Sequence, residues 1–231
     1  ALSAVVRHNG FKGLTLLGGY TWSKTLDVST DSNGGSNVMD PYNWRLDYGL
    51  ANWDLKHRFV TSYTYELPFF SGSARAVKML LGGWQTNGIF TAQSGFPFSV
   101  TIAADQANVG QGTQRSNFSG TAINVDCGSG KLTGCVNLSG FQLPAQYTYG
   151  NTPRNFLRGP GLVNLDFSLF KNFAITERAK VQFRWETFNT LNHPNFGNPN
   201  STFVPGSAVF GNITALRTDM RQMQFGLKFL F

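Results

Sequence analysis

Three histidines, His8, His57 and His193, are the side chains in this chain best suited to metal or acid–base work. They stand far apart, at a strand end or beside loops, which is where isolated histidines ordinarily sit. Asp27, Asp31, Asp40 and Asp47 lie in or beside the first long loop. Calcium draws about six to eight oxygens into a compact cage. The aspartate spacing fits no such cage, and these side chains are expected to be solvated loop carboxylates. Ser94-Gly95 lacks the Gly-x-Ser-x-Gly frame of a nucleophile elbow. Gly110-Gln-Gly112 has no helical pattern after it to complete a phosphate cradle. The chain is therefore expected to be no enzyme, to hold no metal and to need no cofactor. Cys127 and Cys135 have seven residues between them in a Gly/Ser-rich stretch. That spacing suits a small disulfide-closed loop, and with it an oxidising compartment. No histidine or further cysteine stands near enough for a zinc site.

With catalytic chemistry set aside, composition points to β structure beside something other than water. Of the 231 residues 21 are Phe and 26 Gly, and charged residues make up 13%. A globular domain carries about 25% charged residues. The net charge of +7 comes from scattered lysines and arginines. Without a basic cluster, nucleic acid is not an expected partner. A basic surface near anionic lipid is the milder explanation. No run of about 18 apolar residues exists, so no transmembrane helix is expected. A transmembrane barrel strand needs only about 9–11 residues of alternating character. Ala1–Gly10 has no apolar signal region. The chain has no initiator Met and starts inside an alternating pattern, as a piece of a longer polypeptide would.

Alternation is the strongest signal in the sequence, because successive side chains of a strand point to opposite faces. It is cleanest at the C-terminus, where Met223, Phe225, Leu227, Phe229 and Phe231 alternate with Gln222, Gln224, Gly226, Lys228 and Leu230. Six earlier stretches share the pattern. Leu2, Ala4 and Val6 lead to a turn expected at Asn9-Gly10. Leu14, Leu16, Gly18, Tyr20 and Trp22 follow, before a loop over Ser29–Trp53. A third strand, His57–Leu67, carries Phe59, Thr61, Tyr63 and Tyr65 on one side. A short connection from Pro68 to Val77 precedes a fourth strand over Gly83–Ile102, broken at Ser94-Gly95-Phe96-Pro97.

After the long loop Ala103–Pro160 comes a fifth strand, Leu162–Phe173. A tight turn at Thr176-Glu177-Arg178 joins it to a sixth, with Val181, Phe183 and Trp185 in its apolar row. Both apolar rows of this hairpin are odd-numbered, so paired numbers must sum to an even value, which an odd-length turn satisfies. Connections alternate short and long, as in an up-and-down membrane barrel. The fold expected is all-β: about seven meandering antiparallel strands with long extracellular loops, forming part of a transmembrane β-barrel. A secreted carbohydrate-binding β-sandwich would explain the alternation but not the rhythm of the connections.

The polar rows carry Arg58, Glu66, Asp166, Lys180, Arg184, Glu186 and Lys228. Facing a lumen they would tune selectivity, or they would pair with one another across strands. Tyr42, Trp44, Phe141, Tyr147 and Tyr149 lie in loops, where they could stack on a sugar or peptide or pack the loops together.

Several segments together resemble the C-terminal barrel portion of TonB-dependent outer-membrane receptors, in the Oar-like group that carries a carboxypeptidase-regulatory-like domain. They are Tyr20-Thr-Trp-Ser-Lys-Thr-Leu-Asp27, Asp54-Leu-Lys-His-Arg-Phe-Val60, Gly83-Trp-Gln85 and Gln93-Ser-Gly-Phe-Pro-Phe98. Further on come Arg158-Gly-Pro-Gly161, Asn164-Leu-Asp-Phe-Ser-Leu-Phe-Lys171, Phe188-Asn-Thr-Leu-Asn-His-Pro-Asn-Phe-Gly197 and the terminal strand. The resemblance implies a barrel of about 22 strands with a plug in its lumen. Residues 1–231 would then form one partial domain without plug, energy-coupling box or earlier strands. It implies a receptor in the bacterial outer membrane that binds and imports a large solute, with outer-membrane lipid, the barrel-assembly machinery and the TonB energy-coupling complex as partners. The assembly machinery would read Phe231. A structural or adhesive outer-membrane barrel without transport is the alternative.

Overall fold

The computed structural model describes residues 1–11, 13–28, 38–70, 72–110, 113–120, 131–176 and 179–231. Seven strands form a single antiparallel sheet: β1 (Leu2–Phe11), β2 (Leu14–Trp22), β3 (His57–Glu66), β4 (Trp84–Gln93), β5 (Leu162–Ala174), β6 (Lys180–Phe188) and β7 (Gln222–Leu230). Their order in the sheet is their order in the chain. With one meander, and no second sheet of comparable size facing it among the described residues, the sandwich alternative falls away.

The ladder register gathers every apolar row onto one face. Reading across the sheet, His8 faces Leu16, Leu16 faces Tyr63, and Tyr63 faces Gly88. Gly88 then faces Phe167, Phe167 faces Thr187, and Thr187 faces Met223. The apolar rows are even-numbered in β1, β2 and β4 and odd-numbered in the rest, and the connections absorb each change of parity. A slip of one residue in any strand would turn its row to the other face. Aromatic contacts tie the rows together: Phe59 meets Phe90 at 6.1 Å, Phe167 meets Trp185 at 6.2 Å and Phe183 meets Phe225 at 6.2 Å. The Tyr63 ring covers Gly88 so closely that a Cβ there would overlap it.

One cation interrupts this apolar face. Lys171 is 2% exposed; it sits over the rings of Trp84 (5.7 Å) and Phe173 (4.9 Å) and donates through Nζ to the Gly82 carbonyl. Its charge is thus spent on the connection that enters β4.

The three short connections, 12–13, 67–83 and 175–179, lie at one end of the sheet. Three expectations change there. The turn expected at Asn9-Gly10 is a bulge: the register shifts between Asn9 and Phe11, Gly10 has φ +83°, and β1 runs on to Phe11. The β3–β4 connection contains a helix, α1 (Arg75–Leu81), built from strong helix formers and ended at Gly82. The β5–β6 turn spans five residues, because the strands stop at Ala174 and resume at Lys180; its odd length keeps Phe173 opposite Val181. Glu177 and Arg178 lie outside the described residues. At the C-terminus β7 ends at Leu230 and the Phe231 side chain is exposed.

The three long connections, 23–56, 94–161 and 189–221, emerge at the opposite end. The fourth strand was expected to reach Ile102 but stops at Gln93. Gly95 packs so tightly on the Gly159 carbonyl that a Cβ would overlap it, and Pro97 has no N–H to continue a ladder. The chain instead makes Pro97–Phe98, which pairs with Leu157–Arg158, and Thr101–Ile102, which pairs in parallel with Thr202–Phe203. The described residues of the long loop after β4 build more structure than their polar, glycine-rich sequence suggests. Phe98, Val100, Ile102, Phe141, Phe203 and Phe210 belong to a buried cluster made from loops alone.

Gly95→Ala is expected to loosen this loop layer while sparing the sheet. Protease cleavage within 94–161 should accelerate, with the far-ultraviolet β signal unchanged. An unchanged cleavage rate would show that the Gly95–Gly159 contact is not required.

Candidate functional site

The loop layer lines an open cavity of about 740 Å³. Small-ligand sites occupy roughly 300–1,000 Å³. A hollow of about 1110 Å³ at the other end lies between α1, the β5–β6 turn and Leu230 of the edge strand. That hollow lies at the end of the short connections, whereas the loop cavity is lined by residues of all three long connections.

Ion pairs hold the cavity open. Arg115 joins Asp47 at 2.6 Å, with both side chains at most 5% exposed. Arg154 pairs with Asp27, and Arg158 with the fully buried Asp54. Each pair bridges connection 23–56 to connection 94–161. The anions arise naturally beside the sheet: Asp27 follows β2 within a short pairing of Leu26–Asp27 with Gly49–Leu50, Asp47 ends the 3-10 turn Trp44–Asp47, and Asp54 precedes β3. Two of the three carboxylates accept a further backbone bond, while Asp27 Oδ2 is buried without a hydrogen-bond partner among the described residues. Asp47 accepts the Met39 N–H at 2.7 Å, and Asp54 accepts the Thr25 N–H at 2.5 Å. Buried charges persist only with such compensation.

The third connection closes the cavity through backbone pairing of Thr101 with Thr202 and through Arg217. That guanidinium lies 3.9 Å from the centre of the Phe96 ring, and burial pushes it below its ordinary pKa. Its Nη1 is buried without a hydrogen-bond partner among the described residues, so the ring face is its main compensation. Elsewhere in the layer Asp105 closes a turn. The Gly110 N–H, with help from Val109, Gln114 and Asn108, holds its carboxyl below the usual range against the opposing effect of burial. A depressed value means that this turn gains stability above the ordinary carboxylate pKa and loses it as pH falls through the lowered one. Tyr149 is pushed up by burial and by the nearby charges of Asp40 and Asp105.

The second face of the sheet carries all seven charges singled out from the sequence: Arg58, Glu66, Asp166, Lys180, Arg184, Glu186 and Lys228. Among the described residues none of them forms an ion pair with another. Three of them, Arg184, Glu186 and Asp166, bond to neutral neighbours instead. Arg184 donates to Gln182 at 2.7 Å and lies 4.8 Å from the Phe170 ring centre. Glu186 accepts from Gln224 at 2.6 Å, and Asp166 accepts from Asn164 and from the Asn189 N–H, each at 2.9 Å.

These features together (an alternating meander, an apolar face, a polar face, long loops at one end) meet their counterpart in one comparison. A family model described as an outer membrane beta barrel domain matches residues 1–224. The chain belongs to that family. It is a β-barrel chain of the bacterial outer membrane. No curated protein and no solved structure matches it.

The barrel's loop site corrects several expectations. Asp47 is not a solvated carboxylate but half of a buried pair, and Asp27 half of a partly buried one, because Arg115 and Arg154 reach them from more than 60 residues away. Nothing local in the sequence marks those partners. Asp40 caps its own turn by accepting the Tyr42 N–H, and Asp31 lies outside the described residues. The histidines fall on three separate elements: His8 on β1, His57 at the start of β3, where Nδ1 meets the Tyr20 hydroxyl at 2.8 Å, and His193 in the third connection. Among the described residues no three of His, Cys, Asp or Glu come together as a metal site would require. Cys135 is buried with its sulfur 3.4 Å from the Lys131 carbonyl; Cys127 lies outside the described residues. Of the loop aromatics, Phe141 packs the loop core, while Tyr42 and Tyr147 stand open to solvent.

Removing one partner of a buried pair costs about 3–5 kcal/mol. Arg115→Ala should therefore destabilise the loop layer by that order, seen as early thermal loss of near-ultraviolet signal in the folded barrel. Arg115→Met with Asp47→Asn should recover part of the loss. Equal melting of Arg115→Ala and the parent would refute the role of the pair.

Proposed function

We propose that this outer-membrane barrel chain is the C-terminal wall of a TonB-dependent receptor, of the Oar-like kind, that binds a large extracellular solute and imports it. The observation that carries the reading is the loop layer: an ion-paired, separately cored assembly that holds a formed cavity above one end of the sheet. A purely structural barrel needs no such cavity. In this reading the apolar face meets lipid, and the second face, with its seven charges, lines the lumen beside a plug. Among the described residues those charges form no ion pairs with each other, which leaves them available to a plug or a passing solute. The protein's work is recognition and passage, with no bond made or broken.

The sheet supports the same reading through its edges. β1 and β7 are exposed along their length, and an open edge within a bilayer leaves backbone groups unsatisfied. In this reading further strands close the wall, and the seven strands by themselves would aggregate. The barrel-assembly machinery would read Phe231 and set the chain in place, and energy would arrive through TonB at the plug.

Site-specific cross-linking in cells tests this. The full-length protein in its native outer membrane should form an adduct with TonB through its periplasmic segment. A barrel that inserts normally yet gives no adduct would instead be adhesive or structural.

A further inference from the structure

The charges in the wall of the loop cavity are already spent. Arg115 donates from Nε to the Thr152 carbonyl (2.9 Å), from Nη1 to Asp47 and from Nη2 to the Leu46 carbonyl. Arg154 donates to the Asp27 carboxylate and to the Asp27 and Asp47 carbonyls. Two arginines thus face two aspartates, and an incoming anion or cation would have to strip one from the other. Every charged side chain that lines the cavity is already paired.

Backbone edges beside the cavity are spent as well. Thr101 is bridged on one side to Thr202 and on the other to Arg115. Phe98 is paired with Leu157, and Pro97 has no N–H to give. A peptide therefore finds no ladder to extend.

What remains free is short, uncharged and able to hydrogen-bond. Thr101, Thr113, Asn198 and Ser201 line the cavity, and their side chains have no hydrogen-bond partner among the described residues, with Asn198 Oδ1 packed against Gly159. Beside them the Phe96 ring, fixed by Arg217, offers an apolar surface. Hydroxyl and amide groups next to an aromatic ring match a ligand that is itself rich in hydroxyls on an apolar carbon frame. We infer that the cavity is a binding site for a neutral saccharide, held by hydrogen bonds to Thr113, Asn198 and Ser201 with its C–H face against Phe96. The inference deepens the receptor reading by naming the class of solute, but binding itself does not depend on import.

The test uses the full-length protein in detergent, with calorimetric titration of maltotriose, cellotriose and xylotriose, of trigalacturonate as the anionic probe and of triglycine as the peptide probe. At least one neutral trisaccharide should bind saturably, and trigalacturonate and triglycine should not. Thr113→Trp, which adds bulk from an exposed position, and Asn198→Ala should each weaken that binding at least tenfold while keeping the heat-modifiable migration of a folded barrel. Tighter binding of the anion or the peptide, no binding of any neutral probe, or binding indifferent to both variants would overturn the inference. Uptake of the bound trisaccharide, with and without TonB, is scored separately. Binding without TonB-dependent uptake refutes the receptor reading alone, and TonB cross-linking without saccharide binding refutes this inference alone.

Discussion

The register of the antiparallel ladder is the constraint on which everything else depends. A strand has two faces, and only the pairing decides which neighbours share one. Here six pairings, each linking rows of different number parity where necessary, set seven apolar rows side by side. The result is a sheet with one continuous greasy surface and one continuous polar surface. No soluble arrangement of a single sheet leaves the first of these uncovered, as Phe225, Leu227 and Phe229 are here. In a bilayer the same surface is favourable, and the ladder satisfies the backbone groups that lipid cannot. Lys171 fits the constraint because its charge never meets the apolar medium alone; it is held by a carbonyl and two rings.

The loop layer obeys a different rule. It has little regular structure, so it cannot rely on ladders. It relies on a small aromatic core and on three Asp–Arg pairs that reach across the chain. Buried pairs of this kind add little net stability, but they fix geometry, because each leaves one satisfactory arrangement and many costly ones. The sheet end supplies the anchor points. Asp27, Asp54 and Arg158 all sit within a few residues of a strand, so the register of the sheet also positions the walls of the cavity.

This division explains what the sequence discloses. Strand positions follow from local alternation, and all seven were legible from runs such as Phe59–Tyr65 or Val163–Leu169. The β5–β6 register was legible too, since parity alone requires an odd turn. The bulge at Gly10 was hidden because Asn-Gly also begins turns, and α1 because a seven-residue helix has too few turns to display a period. The cavity was not legible at all. Asp47 finds Arg115 and Asp27 finds Arg154 across distances in sequence that no local pattern encodes. A Gly/Ser/Asn-rich stretch looks the same whether or not Phe141, Phe203 and Phe210 meet within it.

The odd-numbered residues of β7 are expected to face lipid and the even-numbered ones to face away from it. Nitroxide labels on single cysteines at residues 223 to 229, in the full-length protein with Cys127 and Cys135 replaced by serine and held in outer-membrane vesicles, measure this directly. Labels at Met223, Phe225, Leu227 and Phe229 should be relaxed by lipid-soluble oxygen, and labels at Gln224 and Lys228 by a water-soluble nickel chelate, with a period of two along the strand. Uniform accessibility to the chelate, or no alternation, would contradict the membrane-facing sheet on which the account stands.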